Sequence, residues 1–372
     1  MTIRAIIAGL ALLMGSCIEE TSGPDSIETV DEAQFVTPGY ALALRKPGET
    51  ILLEVDGAAD IEQSRPITPD TVFHIASLSK QITAAALAHA VMDGRVSLDD
   101  PVSEWIPEAE KYGDALQVAH LVYMTSGLTE YTAVPRDDGL PWTTFHYFTT
   151  NDAIEASLSV DALKFEPGSA WDYSNINYML ISRIVSQAYG MSFADVVAQR
   201  IFEPLAMNAS LIHDDVTQIV PNRANAYLAR ETGALSALRD GASLDVRDDG
   251  GLIQIRRNAP HYGGSGVLTS MSDWSLWLDE MLTHETFGQA FWETMTRTQT
   301  FAHDKNNDAF GLVHGRMGDF DTLWYSGGDI DASSYMVAVP SEGFAIACFA
   351  NNPMDSCENR VAELFVKQTA AP

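Results

Sequence analysis

The sequence predicts an α+β fold: one antiparallel sheet built from both chain ends and flanked by helices, with a mostly helical lobe inserted between them. Short alternating runs near the start and end of the chain supply the strands. Apolar segments closed by glycine or proline supply the helices between them. At 372 residues, with 46% hydrophobic and 9% aromatic residues, the chain can enclose a large core.

The N-terminal MTIRAIIAGLALLMGSC places one Arg before an apolar run from Ala5 to Met14, then small residues before Cys17. The run is too short to span a membrane and has the layout of a secretory signal. Its ending also resembles a bacterial lipoprotein processing site, where Cys17 would become the lipidated first residue; simple signal cleavage is the other reading. Export to the periplasm or cell envelope is therefore expected, with membrane contact only through that lipid. Residues 18–34, rich in Glu, Asp, Ser and Thr, read as a flexible acidic tether.

Gly39–Arg45 and Thr50–Asp56 alternate in polarity around Lys46-Pro47-Gly48-Glu49, a hairpin signal. Phe73–Gly94 follows. Its Ile82–Met92 part is rich in Ala, Leu and Val with almost no charge, which predicts a helix buried on most sides, and Gly94 provides a left-handed stop. The ALQVAHLVYMTSGL run (115–128) is helix-like. Residues 129–150 lack periodicity and read as a loop that walls a pocket.

Further helices are expected from Ile176 to Gly190, Ser192 to Ile201 and Ser272 to Thr283, with Asp273 suited to a helix start. A hairpin is expected at Asp248–Gly251. Strands return at Thr322–Tyr325, Ser334–Pro340 and Gly343–Ala350, and a terminal helix runs from about Asp355 to Lys367. Trp274 and Trp277, three apart, read as core.

The 51 acidic residues outnumber 22 basic ones, giving a formal charge of −29. Such a surface repels phosphate backbones and anionic lipid, so nucleic acid is not an expected partner. No Cys-x-x-Cys or His-Glu-x-x-His occurs, and no metal or cofactor is called for. Cys348 and Cys357 stand nine apart: they either bridge in an oxidising compartment or remain two buried thiols.

Chemistry concentrates at two short patterns. A serine hydroxyl is a poor nucleophile until a base takes its proton. Ser77 and Lys80 sit three apart at the mouth of an apolar helix, where side chains share one face at roughly 5–6 Å. Lys80 is the one lysine of six with a serine three residues before it, and a lysine in an uncharged Ala-rich helix is costly unless used or paired. The helix N-terminus also offers N–H groups to a developing oxyanion. Tyr173-Ser174-Asn175 is the second pattern. A tyrosine held against a lysine ammonium can serve as base because the positive charge favours phenolate, and an asparagine can hold both lysine and a substrate carbonyl.

With these residues in view, the chain resembles the serine beta-lactamase-related family, which includes class C beta-lactamases, DD-peptidases and family VIII carboxylesterases. The likeness covers roughly residues 35–370 and extends through TPDTVFHIASLSKQITA, VSLDDPVSEWIPE, HLVYMTSGL, EPGSAWDYSNINYMLISRIV and GGSGVLTSMSDW. It implies a DD-peptidase/beta-lactamase-like fold over 35–372, with a sheet lobe at about 35–95 and 262–372 and a helical lobe at about 96–261. It further implies that Ser77 is acylated, that Lys80 and Tyr173 share the proton traffic, and that Asn175 orients lysine and substrate.

The family's third element, a Lys-Thr-Gly or His-x-Gly, falls at Tyr325-Ser326-Gly327-Gly328, where the Gly328 N–H would join that of Ser77 as oxyanion donor. Tyr325 departs from the pattern. A lysine there can recognise a carboxylate, and a phenol does not replace its charge. The alternatives are an inert packing tyrosine, with His261, His314 or Arg316 compensating.

The resulting expectation is an exported serine hydrolase acting through an acyl-enzyme on small esters, amides or peptides. A beta-lactamase or D-amino-acid-specific peptidase is one alternative, and a non-catalytic cell-wall or peptide-binding homologue is the other.

Overall fold

The computed structural model describes residues 36–139, 142, 147–230, 251–256, 261–302 and 307–370. The expected leader with Cys17, the expected tether at 18–34 and residues 248–250 of the expected hairpin lie outside them. Strands from the two chain ends meet in one six-stranded antiparallel sheet, in the order Val313–Met317, Phe320–Asp329, Ala332–Val339, Phe344–Ala350, Tyr40–Lys46, Glu49–Asp56. The seam between the ends pairs Tyr40 with Ala350 and Leu42 with Cys348. The predicted α+β class and the two-ended sheet are thus observed.

The sheet is covered on both faces. In the central FAIACFA strand (344–350) every residue is buried, and alternation sends successive side chains into two different layers. Ala345, Ala347 and Phe349 join the helical core, where Phe349 packs on Phe73 and Trp274 at 6.1 and 5.8 Å between ring centroids. Phe344, Ile346 and Cys348 meet Val361 and Phe365 of the terminal helix Cys357–Thr369. Cys348 and Cys357 form a disulfide with Cα atoms 5.3 Å apart, tying this strand to the first turn of that helix. The outermost strand, Glu49–Asp56, is largely exposed and carries Glu49, Glu54 and Asp56, charges that discourage further strand pairing.

The apolar helix forms over Ser79–Met92 and is buried almost all round, ending at Asp93 with Gly94 at φ +66°. Ser77 is not in it. Ser77 occupies a 3₁₀ turn, Ala76–Leu78, that joins the strand Val72–His74 to the helix, and Ala76 there adopts φ +47°. A side chain at that φ is strained, so surrounding packing must hold the turn.

Several expected elements differ in extent. The 115–128 run yields only the short helix Val118–Val122, and the 192–201 helix continues as a π-turn through Phe202. Leu252–Ile255 pairs with Ala226–Ala229. The strand expected at Thr322–Tyr325 runs over Phe320–Asp329, because Ala332–Val339 keeps pairing through Gly327 and Gly328.

The core also carries an acid-sensitive group. His89 sits on the serine helix against Phe287 and Phe291, at 5.0 and 4.7 Å, and burial with nearby Arg200 lowers its pKa to about 4. The unfolded ring titrates near 6.5, so between those values the unfolded chain binds more protons and stability falls as pH falls. This single group contributes at most about 3 kcal/mol of loss over the window. The slope of Tm between pH 6.5 and 5 should therefore be shallower in His89→Phe than in wild type; equal slopes contradict the assignment.

Candidate active site

Three separated stretches converge on the Ser77 turn. The strand Val72–His74 that leads into it pairs antiparallel with Val267–Ser270, and the loop feeding that partner, Gly263–Gly266, is thereby laid against the serine helix. Thr83 Oγ1 donates to the Gly263 carbonyl at 2.7 Å, and the Val267 N–H donates to Ser79 Oγ at 3.0 Å. On the other side lies the Tyr173–Asn175 segment, where Asn175 opens the helix Asn175–Tyr189. The strand Phe320–Asp329 closes the third side.

Lys80 is fully buried at their junction. Its Nζ lies 2.8 Å from Asn175 Oδ1, 2.6 Å from the Gly264 carbonyl oxygen, 2.6 Å from Tyr173 OH and 3.1 Å from Ser77 Oγ. Ser77 Oγ and Tyr173 OH are themselves 2.7 Å apart. Two of Lys80's neighbours are carbonyls, which only accept, and they engage two N–H bonds whatever the charge state. An ammonium then has one proton left to share between the two hydroxyls. A neutral amine instead directs its lone pair at them. At these distances a single proton can pass among the three groups.

Glu130, which sequence reasoning did not single out, fixes this arrangement from behind. Its carboxylate accepts from Ser174 Oγ at 2.7 Å and from the Asn175 N–H at 2.6 Å, with Asn175 Nδ2 at 3.4 Å. It thus sits at the positive end of the Asn175–Tyr189 helix and anchors the asparagine that holds Lys80. No local pattern marks it, since it lies 45 residues from Asn175.

His74 is a second such residue. Nδ1 lies 2.9 Å from Asp331 Oδ1 and Nε2 2.8 Å from Ser265 Oγ, linking the turn after the Phe320–Asp329 strand to the loop that holds Lys80. Asp329 joins His74 and Asp331 in a group whose potential cation-ligating atoms lie within 4.8 Å, a grouping that motif spacing did not announce. Both ring nitrogens of His74 are committed to protein partners.

Gly327 and Gly328 stand where the sequence places them, beside the nucleophile. A Cβ on Gly327 would lie 2.6 Å from the Ile75 carbonyl oxygen, 3.0 Å from the Ser77 nitrogen and 2.2 Å from Ser334 Oγ, so only glycine lets the strand approach the Ser77 turn. Gly328 faces open space and, with Ser77, Trp171, Tyr173, Asp308, Val313, Trp324, Tyr325 and Ser326, lines a cleft of about 290 Å³.

Tyr325 stands half-buried in this wall. Burial pushes its phenol well above the ordinary value, with Tyr173, Tyr178 and Asp308 adding to the shift, so it presents a neutral hydroxyl. None of the three candidate compensating cations lines the cleft. His261 is buried with Nε2 2.9 Å from Tyr131 OH, His314 Nε2 lies 2.7 Å from the Thr296 carbonyl, and Arg316 is exposed near Asp321.

A sequence model of the family described as Beta-lactamase matches residues 27–370. A D-aminopeptidase of Gluconobacter oxydans is 27% identical over 343 residues, which span 91% of this chain and 60% of that protein. Esterase EstB of Burkholderia gladioli is 31% identical over 183 residues, 45% of either chain. This chain thus spans less than two thirds of either of these relatives. Among solved structures, a D-amino acid amidase from Ochrobactrum anthropi SV3 in complex with D-phenylalanine superposes with a TM-score of 0.70 at 25% identity, covering 84% of this chain and 87% of that one.

Proposed function

The chain belongs to the beta-lactamase family, and from that premise we propose that it is a serine hydrolase forming an acyl-enzyme on Ser77 and acting on small esters or amides. The proton count at Lys80 carries the reading: two carbonyl acceptors fix the amine, and what remains is directed at both Ser77 Oγ and Tyr173 OH.

In the first half-reaction Ser77 Oγ attacks the substrate carbonyl carbon while its proton passes to the Tyr173–Lys80 pair. The tetrahedral oxyanion forms between the Ser77 and Gly328 N–H groups, whose donors cost no reorganisation at the moment of reaction. The intermediate collapses, the bond to the leaving group breaks, and Tyr173 returns the proton to the departing oxygen or nitrogen. In the second half, water gives a proton to the same pair, its oxygen attacks the acyl carbon, and the acid leaves as Ser77 is reprotonated.

The altered third element bears on substrate. With Tyr325 neutral and no Lys, Arg or His among the described residues lining the cleft, carboxylate-bearing donors such as penicillins find no counter-charge there. The test is turnover of 4-nitrophenyl butyrate, D- and L-alanine amide and a chromogenic cephalosporin by wild type and Ser77→Ala. Ester or amide turnover that vanishes in the variant, with cephalosporin kcat/KM at least about tenfold lower, is expected. Turnover retained in Ser77→Ala, or a preference for the cephalosporin, contradicts the proposal.

A further inference from the structure

Of the two carbonyls that hold Lys80, the Gly264 oxygen belongs to the backbone and is always an acceptor. The Asn175 amide is different: turned over about its last bond, it would present Nδ2–H in place of Oδ1. A neutral Lys80 has two hydrogens and one lone pair. With Asn175 Oδ1 and the Gly264 oxygen taking the two hydrogens, the lone pair is left for Ser77 Oγ and Tyr173 OH, as proton abstraction requires. With Nδ2 in that place, the amide would take the lone pair and a hydrogen would face the hydroxyls. The base would then point the wrong way.

The two oxygens of Glu130 bear on this choice in different ways. Oε2 accepts from Ser174 Oγ at 2.7 Å and from the Asn175 N–H at 2.6 Å, with the Ile176 N–H at 3.4 Å, which satisfies the donors of a helix start. Oε1 is turned instead to Asn175 Nδ2 at 3.4 Å. A carboxylate only accepts, so it attracts the amide nitrogen and repels the amide oxygen. The segment that carries Glu130 is braced on both sides of it in sequence. Ser126 Oγ donates to Asn177 Oδ1 at 2.5 Å, which ties the segment to the same helix, and Ser157 Oγ donates to the Thr129 carbonyl at 2.5 Å. The loop that holds Lys80 packs close to the amide as well, for a Cβ on Gly264 would lie 3.1 Å from Asn175 Oδ1.

We propose that Glu130 is a positioning residue that fixes which way round the Asn175 amide lies, and so keeps the Lys80 lone pair aimed at Ser77 and Tyr173. It touches no reacting atom and transfers no proton. This inference rests on the serine-hydrolase reading given above and adds to it the group that orients its base. A helix cap alone needs one acceptor oxygen, which Gln supplies as well as Glu. Orientation needs the second oxygen, because a Gln Nε2–H in its place donates to Asn175 Oδ1 and draws the amide over. Glu130→Gln therefore separates the two roles: it keeps the cap and the shape while inverting the preference of the amide.

The test measures Ser77-dependent hydrolysis of 4-nitrophenyl butyrate by wild type, Glu130→Gln, Asn175→Asp and the double variant, with a thermal melt of each to establish folding. Glu130→Gln is expected to lower kcat by about 10- to 100-fold with KM within about threefold, the pattern of a misaligned base. Asn175→Asp presents an oxygen to Lys80 whichever way it lies, so in that background Glu130→Gln should cost less than about twofold. A merely structural Glu130 would instead cost the same factor in both backgrounds. Glu130→Asp keeps an acceptor-only group and should lose less activity than Glu130→Gln, a comparison that needs no second substitution. A kcat loss below about threefold in folded Glu130→Gln, equal losses in the two backgrounds, or a Glu130→Asp slower than Glu130→Gln would each overturn the proposal. Where wild type shows Ser77-dependent hydrolysis, any of these results sinks this inference alone; where wild type shows none, the hydrolase reading falls and takes this inference with it.

Discussion

Lys80→Met is expected to lower kcat/KM for any Ser77-dependent ester by about 10³–10⁴, the upper range for loss of a positioned general base. Methionine fills nearly the same volume and removes a fully buried ionisable group, so the helix around it stays packed. The substitution strands the Asn175 and Gly264 carbonyls, each at about 1–3 kcal/mol, while relieving the burial of a charge, and these changes oppose one another. Activity should therefore fall by orders of magnitude while Tm shifts by only a few degrees. Steady-state kinetics beside a thermal melt checks both halves. A loss below tenfold in a folded variant would mean that the proton travels by another route.

Gly327→Ala is the second large effect, and it acts through backbone rather than chemistry. The added carbon would lie 2.6 Å from the Ile75 oxygen and 2.2 Å from Ser334 Oγ, so the Phe320–Asp329 strand must retreat from the Ser77 turn. Ser334 Oγ donates to that Ile75 oxygen at 2.7 Å and cannot simply swing aside without leaving it unpaired. An oxyanion donor displaced by a few tenths of an ångström loses most of its value, so kcat should drop by about 10²–10³ with a smaller change in KM. Comparable kcat in wild type and variant would show that the strand contributes no donor to the reaction.

The parts of this site that were legible in the chain are those whose partners lie close in sequence. Ser77 and Lys80 meet because the 3₁₀ turn at Ser77 runs directly into the helix and brings residues three apart together, and Tyr173 and Asn175 because they flank a helix start. The sheet was legible from alternation at the two ends, and the burial of the serine helix from its lack of charge. The 3₁₀ turn at Ser77 was not, since nothing in the Ala76 type announces a positive φ. Nor were Glu130, Gly264 or His74. Each reaches its partner across a separation that only the tertiary fold closes, 45 residues for Glu130 and Asn175 and 184 for Gly264 and Lys80, and each is a common residue type in an ordinary loop or strand. The strand expected at Thr322–Tyr325 runs on through Gly327 and Gly328, and the missing side chain at Gly327 permits its close approach to Ser77.

The claim on which all of this rests is that Ser77 becomes acylated. Incubating the folded protein with a serine-directed fluorophosphonate and measuring its intact mass, followed by peptide mapping, tests it most directly. A single adduct on the peptide bearing Ser77, lost in Ser77→Ala and strongly slowed in Lys80→Met, is the predicted result. An unmodified wild-type protein, or an adduct that persists in Ser77→Ala, would contradict it.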